Sequence, residues 1–193
     1  AIPGITRDTV AGRVVDVIDG DTIDVSIDDV RTRVHLAGIV APLPAGAERP
    51  ADCLAPEART HLRSLTPVGS RVHLRSVAPN DDGSLTATVH HRLRLIDAAM
   101  VSDGMATASD AAVAGAAPAD APAVLPIPDP KAWLDGFEAR AHADDLAQVL
   151  DGRDSAAARR VGLHGVEADC TLPARVTAAV DDASAAATLP RTT

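Results

Sequence analysis

The stretch Val14–Pro42, VVDVIDGDTIDVSIDDVRTRVHLAGIVAP, decides the fold. Val14 to Ile18 and Thr22 to Ile27 read as strands. In the second, Ile23, Val25 and Ile27 share one face while Asp24 and Ser26 take the other, the period-two pattern of a half-buried strand. Asp28-Asp29 supplies a turn. Arg31 to Ile39 makes a third strand, with Val34 and Leu36 opposite Arg33 and His35.

Working outward, Pro42 to Pro50 is a loop set by its prolines and Gly46. Pro56 to Leu65 predicts a short helix, with proline in the first turn and Ala58, Leu62 and Leu65 along one side. Gly69 ends it. Arg71 to Arg75 alternates as a fourth strand, and Leu85 to Leu95 as a fifth. Ile96 to Met105 predicts a second helix, with Ala99, Met100 and Met105 inward. Strand, strand, strand, helix, strand, strand, helix predicts an α+β chain: a five-stranded OB-fold β-barrel with short helices over residues 10–107.

Composition then shifts. Residues 108–128 are rich in Ala and Pro, lack periodicity and read as a linker. Residues 129–193 read as a mostly helical or irregular C-terminal arm. Within it, Pro130 to Leu150 is amphipathic, with Trp133, Leu134, Phe137, Ala141, Leu146, Val149 and Leu150 near one stripe. Asp129 caps its start and Gly152 stops it. Ser155 to Val161 and Ala174 to Ala187 are also predicted helical.

The chain has 193 residues, one Trp, one Phe and no Tyr. Its core must therefore come from Val, Leu, Ile and Ala. The net charge is −9, with −3 carried by residues 1–107 and −6 by the remainder. An acidic surface repels phosphate backbones, so nucleic-acid affinity is expected to be weak or absent. Two cysteines, Cys53 and Cys170, share no metal-ligand spacing. Two reduced thiols is the plainer expectation and one bridge the alternative. No window is long and apolar enough for a membrane span, and Ala1-Ile2-Pro3-Gly4 does not read as a signal peptide. The expected location is the cytoplasm or a virion.

Four local motifs resemble the staphylococcal-nuclease family. Asp19-Gly20-Asp21-Thr22 resembles its DGDT element. Leu36-Ala37-Gly38-Ile39-Val40-Ala41-Pro42 resembles its LAGIDAP element. Cys53-Leu54-Ala55-Pro56-Glu57-Ala58 resembles its C-x-G-x-E-A helix start, and Ile96 to Ala106 its N-x-x-L-V-x-x-G-x-A helix. All four occur in the family's order across half of the chain.

The resemblance implies calcium-dependent phosphodiester hydrolysis, which needs paired aspartates for a hard cation, a carboxylate base and two arginines. Asp21 keeps the first metal aspartate. The second falls on Val40, the base on Leu43, the first arginine on His35 and the second on Ser84. Losing the arginines and the base should each cost on the order of 10²-fold or more. No catalytic residue, metal site or cofactor is therefore expected. Glu48 or Asp52 as substitutes find no support in the spacing.

Plainer readings suit the other candidates. Asp21 caps a turn, and Glu57 complements the helix dipole. His90 and His91 point to opposite faces. A metal site from His35 and His73 is disfavoured. Arg31, Arg33, Arg71, Arg75, Arg92 and Arg94 form a stripe without stacking aromatics, so salt bridges with Asp24, Asp28 and other strand acids, or a protein partner, explain it better than single strands. Trp133, Leu134, Phe137 and Leu146 read as an interface anchor for other protein chains of a large assembly. The expectation is a catalytically inactive nuclease-like module in such an assembly, for example a virion structural protein. The alternatives are a calcium-dependent nuclease with displaced catalytic residues and a non-hydrolytic single-strand binder.

Overall fold

A computed structural model describes residues 9–48, 50–110, 112 and 130–165, with the side chains of 130–139 excepted. The strands are β1 (Thr9–Val17), β2 (Thr22–Ile27), β3 (Val30–Leu36), β4 (Ile39–Val40), β5 (Arg71–Pro79), β6 (Leu85–His91), β7 (Arg94–Leu95) and β8 (Thr107–Ala108). The helices are α1 (Ala55–Leu65), α2 (Ile96–Ser102) and α3 (Pro130–Arg159), followed by a 3-10 turn at Gly162–His164.

The main sheet runs β3-β2-β1-β5-β6-β7. All its neighbours are antiparallel, and a parallel pairing of β3 with β6 (Val34 with Leu85, Leu36 with Ala87) closes five strands into a mixed barrel. This is the expected OB-like α+β architecture. Ile23, Val25, Val34, Val72, Leu74 and Val89 fill the interior, all at zero exposure. An aliphatic core without aromatics therefore does form.

Backbone conformation explains where elements end. β3 stops at Leu36 because Gly38 takes a φ of +73°, and the chain resumes as β4, which pairs with β8. α2 stops at Ser102, short of the expected Met105, because Gly104 takes a φ of +72° and donates its N–H to the Val101 carbonyl. The single fifth strand expected from Leu85 to Leu95 is two strands, turned at Arg92-Leu93.

The largest departure lies after the barrel. α3 does not stop at Gly152 but continues to Arg159. A Cβ at Gly152 would lie 3.0 Å from the Ala98 carbonyl and 3.2 Å from the Ser102 nitrogen, so this glycine lets α3 pack tightly on α2. Leu146 and Val149 of α3 belong to the same buried cluster as Leu36, Val89 and Met100. Leu146, expected at an interface with another chain, is 3% exposed and packs on its own barrel. A helical stripe shows that a face is buried but not by what. The side chains of Trp133, Leu134 and Phe137 lie outside the described residues, as do 113–129 of the expected linker and the expected helix at 174–187.

Cys53 is disulfide-bonded, which corrects the expectation of reduced thiols. Cys170, the only other cysteine in the chain, lies outside the described residues. The 3-10 turn returns the chain to the barrel, where Leu163 donates its N–H to the Gly104 carbonyl at 2.8 Å. Sequence separation hides such a return.

Candidate functional site

The turn between β1 and β2 starts the site. The Asp19 carboxylate accepts the Asp21 N–H at 3.0 Å and so shapes the loop. Asp21 then spends both of its oxygens within the chain. Oδ2 accepts the Ala41 N–H at 2.9 Å, and Oδ1 accepts the Thr22 hydroxyl at 3.0 Å. Burial pushes the Asp21 pKa up to about 6, with the neighbouring Asp19 charge adding to the effect.

Register carries the row onto β3. Thr22 pairs with His35, and His35 pairs with Thr86 of β6. The Thr22 hydroxyl is 3.2 Å from His35 Nδ1. Since that hydroxyl donates to Asp21, it accepts from His35 Nδ1–H. Asp82 and Ser84 follow on the β5–β6 loop. Ser84 donates its N–H and its hydroxyl to Asp82, at 2.9 and 2.6 Å, and these two bonds hold the Asp82 pKa below the usual carboxylate range.

At the other positions singled out by the resemblance, Val40 and Leu43 carry aliphatic side chains. Val40 lies in β4 opposite Thr107. Leu43 is fixed through its backbone, donating its N–H to Asp52 Oδ2 at 2.7 Å while its carbonyl accepts the Asp52 N–H at 2.9 Å. Asp52 thus clamps the loop through Leu43. Glu48 and Glu57 are both exposed, Glu57 in the first turn of α1.

The arginine stripe divides. Arg31 and Arg33 both bind Asp24, at 2.7 and 3.0 Å, and cover it so well that it is 3% exposed. Burial opposes its ionisation, but the hydrogen bonds from Arg33 and Arg31 outweigh it and hold its pKa below the usual value. Arg94 lies 3.6 Å from Asp103. Arg71 and Arg92 take no acid among the described residues, and Asp28, expected to bind an arginine, takes none.

A second cluster, absent from the sequence reading, joins α3 to the barrel. Asp145 Oδ2 accepts from the Thr88 hydroxyl at 3.1 Å and from His90 Nε2–H at 3.1 Å, with Arg75 at 3.6 Å. Burial opposes its charge, but His90 and then Arg75 lower its pKa overall. His73 pairs with His90 rather than approaching His35, and His91 instead donates to the Leu65 carbonyl of α1. Beneath the cluster, Asp97 is fully buried with one oxygen on the Val89 N–H at 2.8 Å, and burial raises its pKa to about 8. The only sequence signal for Asp145 is an acid next to Leu146 on the apolar stripe.

Among the described residues, no three His, Cys, Asp or Glu side chains are grouped to hold a metal ion, and no helix is long and apolar enough to cross a membrane. The barrel thus carries two hydrogen-bonded polar groups, Asp21–Thr22–His35 and Asp82–Ser84, with Arg31 and Arg33 committed to Asp24. No known family model matches this chain, and no curated protein matches it either.

Proposed function

We propose that the chain is a nuclease-like module without nuclease activity, retained as a structural or interaction component of a larger multi-chain assembly such as a virion. One observation carries the reading: Asp21, the sole acid kept from the family's catalytic set, has both oxygens engaged by Ala41 and Thr22. A carboxylate so used supports a turn. The neighbouring positions that would complete a hydrolytic site hold Val40, Leu43, His35 and Ser84, none of which supplies a carboxylate or a guanidinium. The bonded state of Cys53 favours an oxidising setting or a virion surface over a reducing cytosol. The acidic chain, with Arg31, Arg33, Arg75 and Arg94 of the stripe each beside an acid, disfavours a single-strand binder.

The test is cleavage of single- and double-stranded DNA and of RNA by the full chain with added Ca²⁺. No turnover is expected. Hydrolysis that disappears with chelator and in Asp21→Ala sinks the proposal. The combined variant His35→Arg, Val40→Asp, Leu43→Glu and Ser84→Arg should gain measurable hydrolysis where single changes do not, because such groups act as a unit.

A further inference from the structure

We propose that this chain associates with a second copy of itself through two hairpin tips of opposite charge, Asp28-Asp29-Val30 of one copy meeting Arg92-Leu93-Arg94 of the other. The inference names a partner for the interaction module proposed above and rests on that reading.

The first argument is exposure. Among the described residues three large hydrophobics are exposed: Val30 at 51%, Val68 at 49% and Leu93 at 104%. Two of them belong to hairpin tips. The third lies in the α1–β5 loop, close in sequence to Leu65, whose carbonyl accepts a hydrogen bond from His91 at the foot of the second tip.

The second argument is conformation. Both tips are two-residue turns with positive φ at each position, +48° and +62° at Asp28 and Asp29, +48° and +66° at Arg92 and Leu93. Such turns favour Asn or Asp followed by Gly. Aspartate tolerates the left-handed region through local hydrogen bonding, but leucine has no such compensation. Leu93 gains nothing from burial and pays backbone strain that glycine would avoid. Strain held at an exposed apolar side chain points to a use outside the fold.

The third argument is unspent charge. Asp28, Asp29 and Arg92 make no side-chain hydrogen bond or ion pair with any described residue. Arg13 and Arg71 line the same shallow depression as Asp28 and Asp29 without pairing to them. A chain of net charge −9 repels its copies at a distance, so self-contact needs a local basic patch. Arg92, with Arg94 partly offset by Asp103 at 3.6 Å, supplies one around an apolar knob, and the acidic tip supplies the complementary charge beside the exposed Val30. Each copy carries both halves, so the contact either closes reciprocally as a twofold dimer or repeats head to tail. Two tips bury little area, so the association should be weak and salt-sensitive.

Sedimentation velocity of the full chain, across concentrations at low and high salt, tests this. The chain should associate at low salt and dissociate as salt rises. Asp28→Arg with Asp29→Arg should weaken self-association by about tenfold or more, and so should Arg92→Asp. An equimolar mixture of those two variants should associate again, because the intact basic tip of the first can meet the intact Asp28-Asp29 tip of the second. Leu93→Gly should lose association by a similar factor with a melting temperature unchanged or raised, which a purely structural leucine would not show. A monomer at every concentration, or association indifferent to both charge reversals, overturns the inference. A monomer that also cleaves no nucleic acid overturns self-association alone, whereas calcium-dependent cleavage overturns the proposed function.

Discussion

The Asp145 carboxylate of α3 accepts a hydrogen bond from the hydroxyl of Thr88 on β6 at 3.1 Å, with neither residue more than 3% exposed. The bond ties the C-terminal helix to the barrel as one packed unit rather than leaving it as an arm.

Asp145→Ala should therefore destabilise the barrel as well as the helix. It strips the partner from Thr88 and His90, and a hydrogen bond to a charged group contributes about 1.5–3 kcal/mol. Urea unfolding should show a lower midpoint with one transition. A chain ending at Ala108 loses this bond together with Leu146 and Val149, whose burial contributes about 1.5–3 kcal/mol each. It should unfold at markedly lower urea than the full chain.

Asp97 governs the stability profile between the ordinary carboxylate value and about pH 8. Its folded pKa of about 8 lies above the ordinary carboxylate value, so the folded state holds the proton more tightly than the unfolded one. That contribution is complete at low pH, where both states are protonated, and is lost as pH rises toward 8, with a slope approaching about 1.4 kcal/mol per pH unit. Asp97→Asn should flatten this slope and raise the melting temperature at pH 7 to 8. An unchanged profile would show that the carboxyl is not the source.

Asp24 and Asp145 act with the opposite sign. Their folded pKa values are lowered, so their contribution is present above the ordinary carboxylate range and is lost as pH falls through it. Arg31→Ala with Arg33→Ala should move the acid unfolding midpoint to higher pH, measured by circular dichroism.

Asp21→Asn should keep the fold, because an amide oxygen can still accept the Ala41 N–H while the repulsion from Asp19 is removed. Asp21→Ala leaves that N–H without its acceptor and should cost about 1–3 kcal/mol. Comparing the two by thermal melts separates a turn-holding role from mere bulk.

Gly152 should tolerate no side chain. Gly152→Val would place its Cβ against the Ala98 carbonyl and Ser102, forcing α3 away from α2 at a cost of about 1–3 kcal/mol. A melting temperature equal to the parent's would contradict the tight packing of the two helices.

Much of the barrel was legible because β2 and β3 alternate cleanly and Asp28-Asp29 sits between them. The same alternation places Asp24 outward, and the expected salt bridges of the arginine stripe form there with Arg31 and Arg33, though not at Asp28. Gly152 illustrates a second limit: glycine ends helices and also lets helices touch, and only the neighbour at Ala98 decides which. Leu146 lies on the expected apolar stripe, yet it packs on its own barrel, since periodicity carries no address. Of the two polar groups, Asp21, His35 and Ser84 were visible by position. Thr22, like the neighbouring Asp19, is legible only as part of the Asp19–Thr22 motif and Asp82 not at all, because their roles arise from hydrogen bonds made in and beside turns.

The parallel pairing of Val34 with Leu85 has a consequence for how the chain is made. The first hairpins can form as soon as they leave the ribosome, but closure must wait until β6 has been synthesised. At about 5–20 residues per second that interval lasts several seconds. During it the free edge of β3 and the valines of β1 and β2 stand open to other nascent strands. Asp28-Asp29, Arg31 and Arg33 line that transient edge, and the cost of burying such charged side chains in a foreign strand pairing guards it until closure.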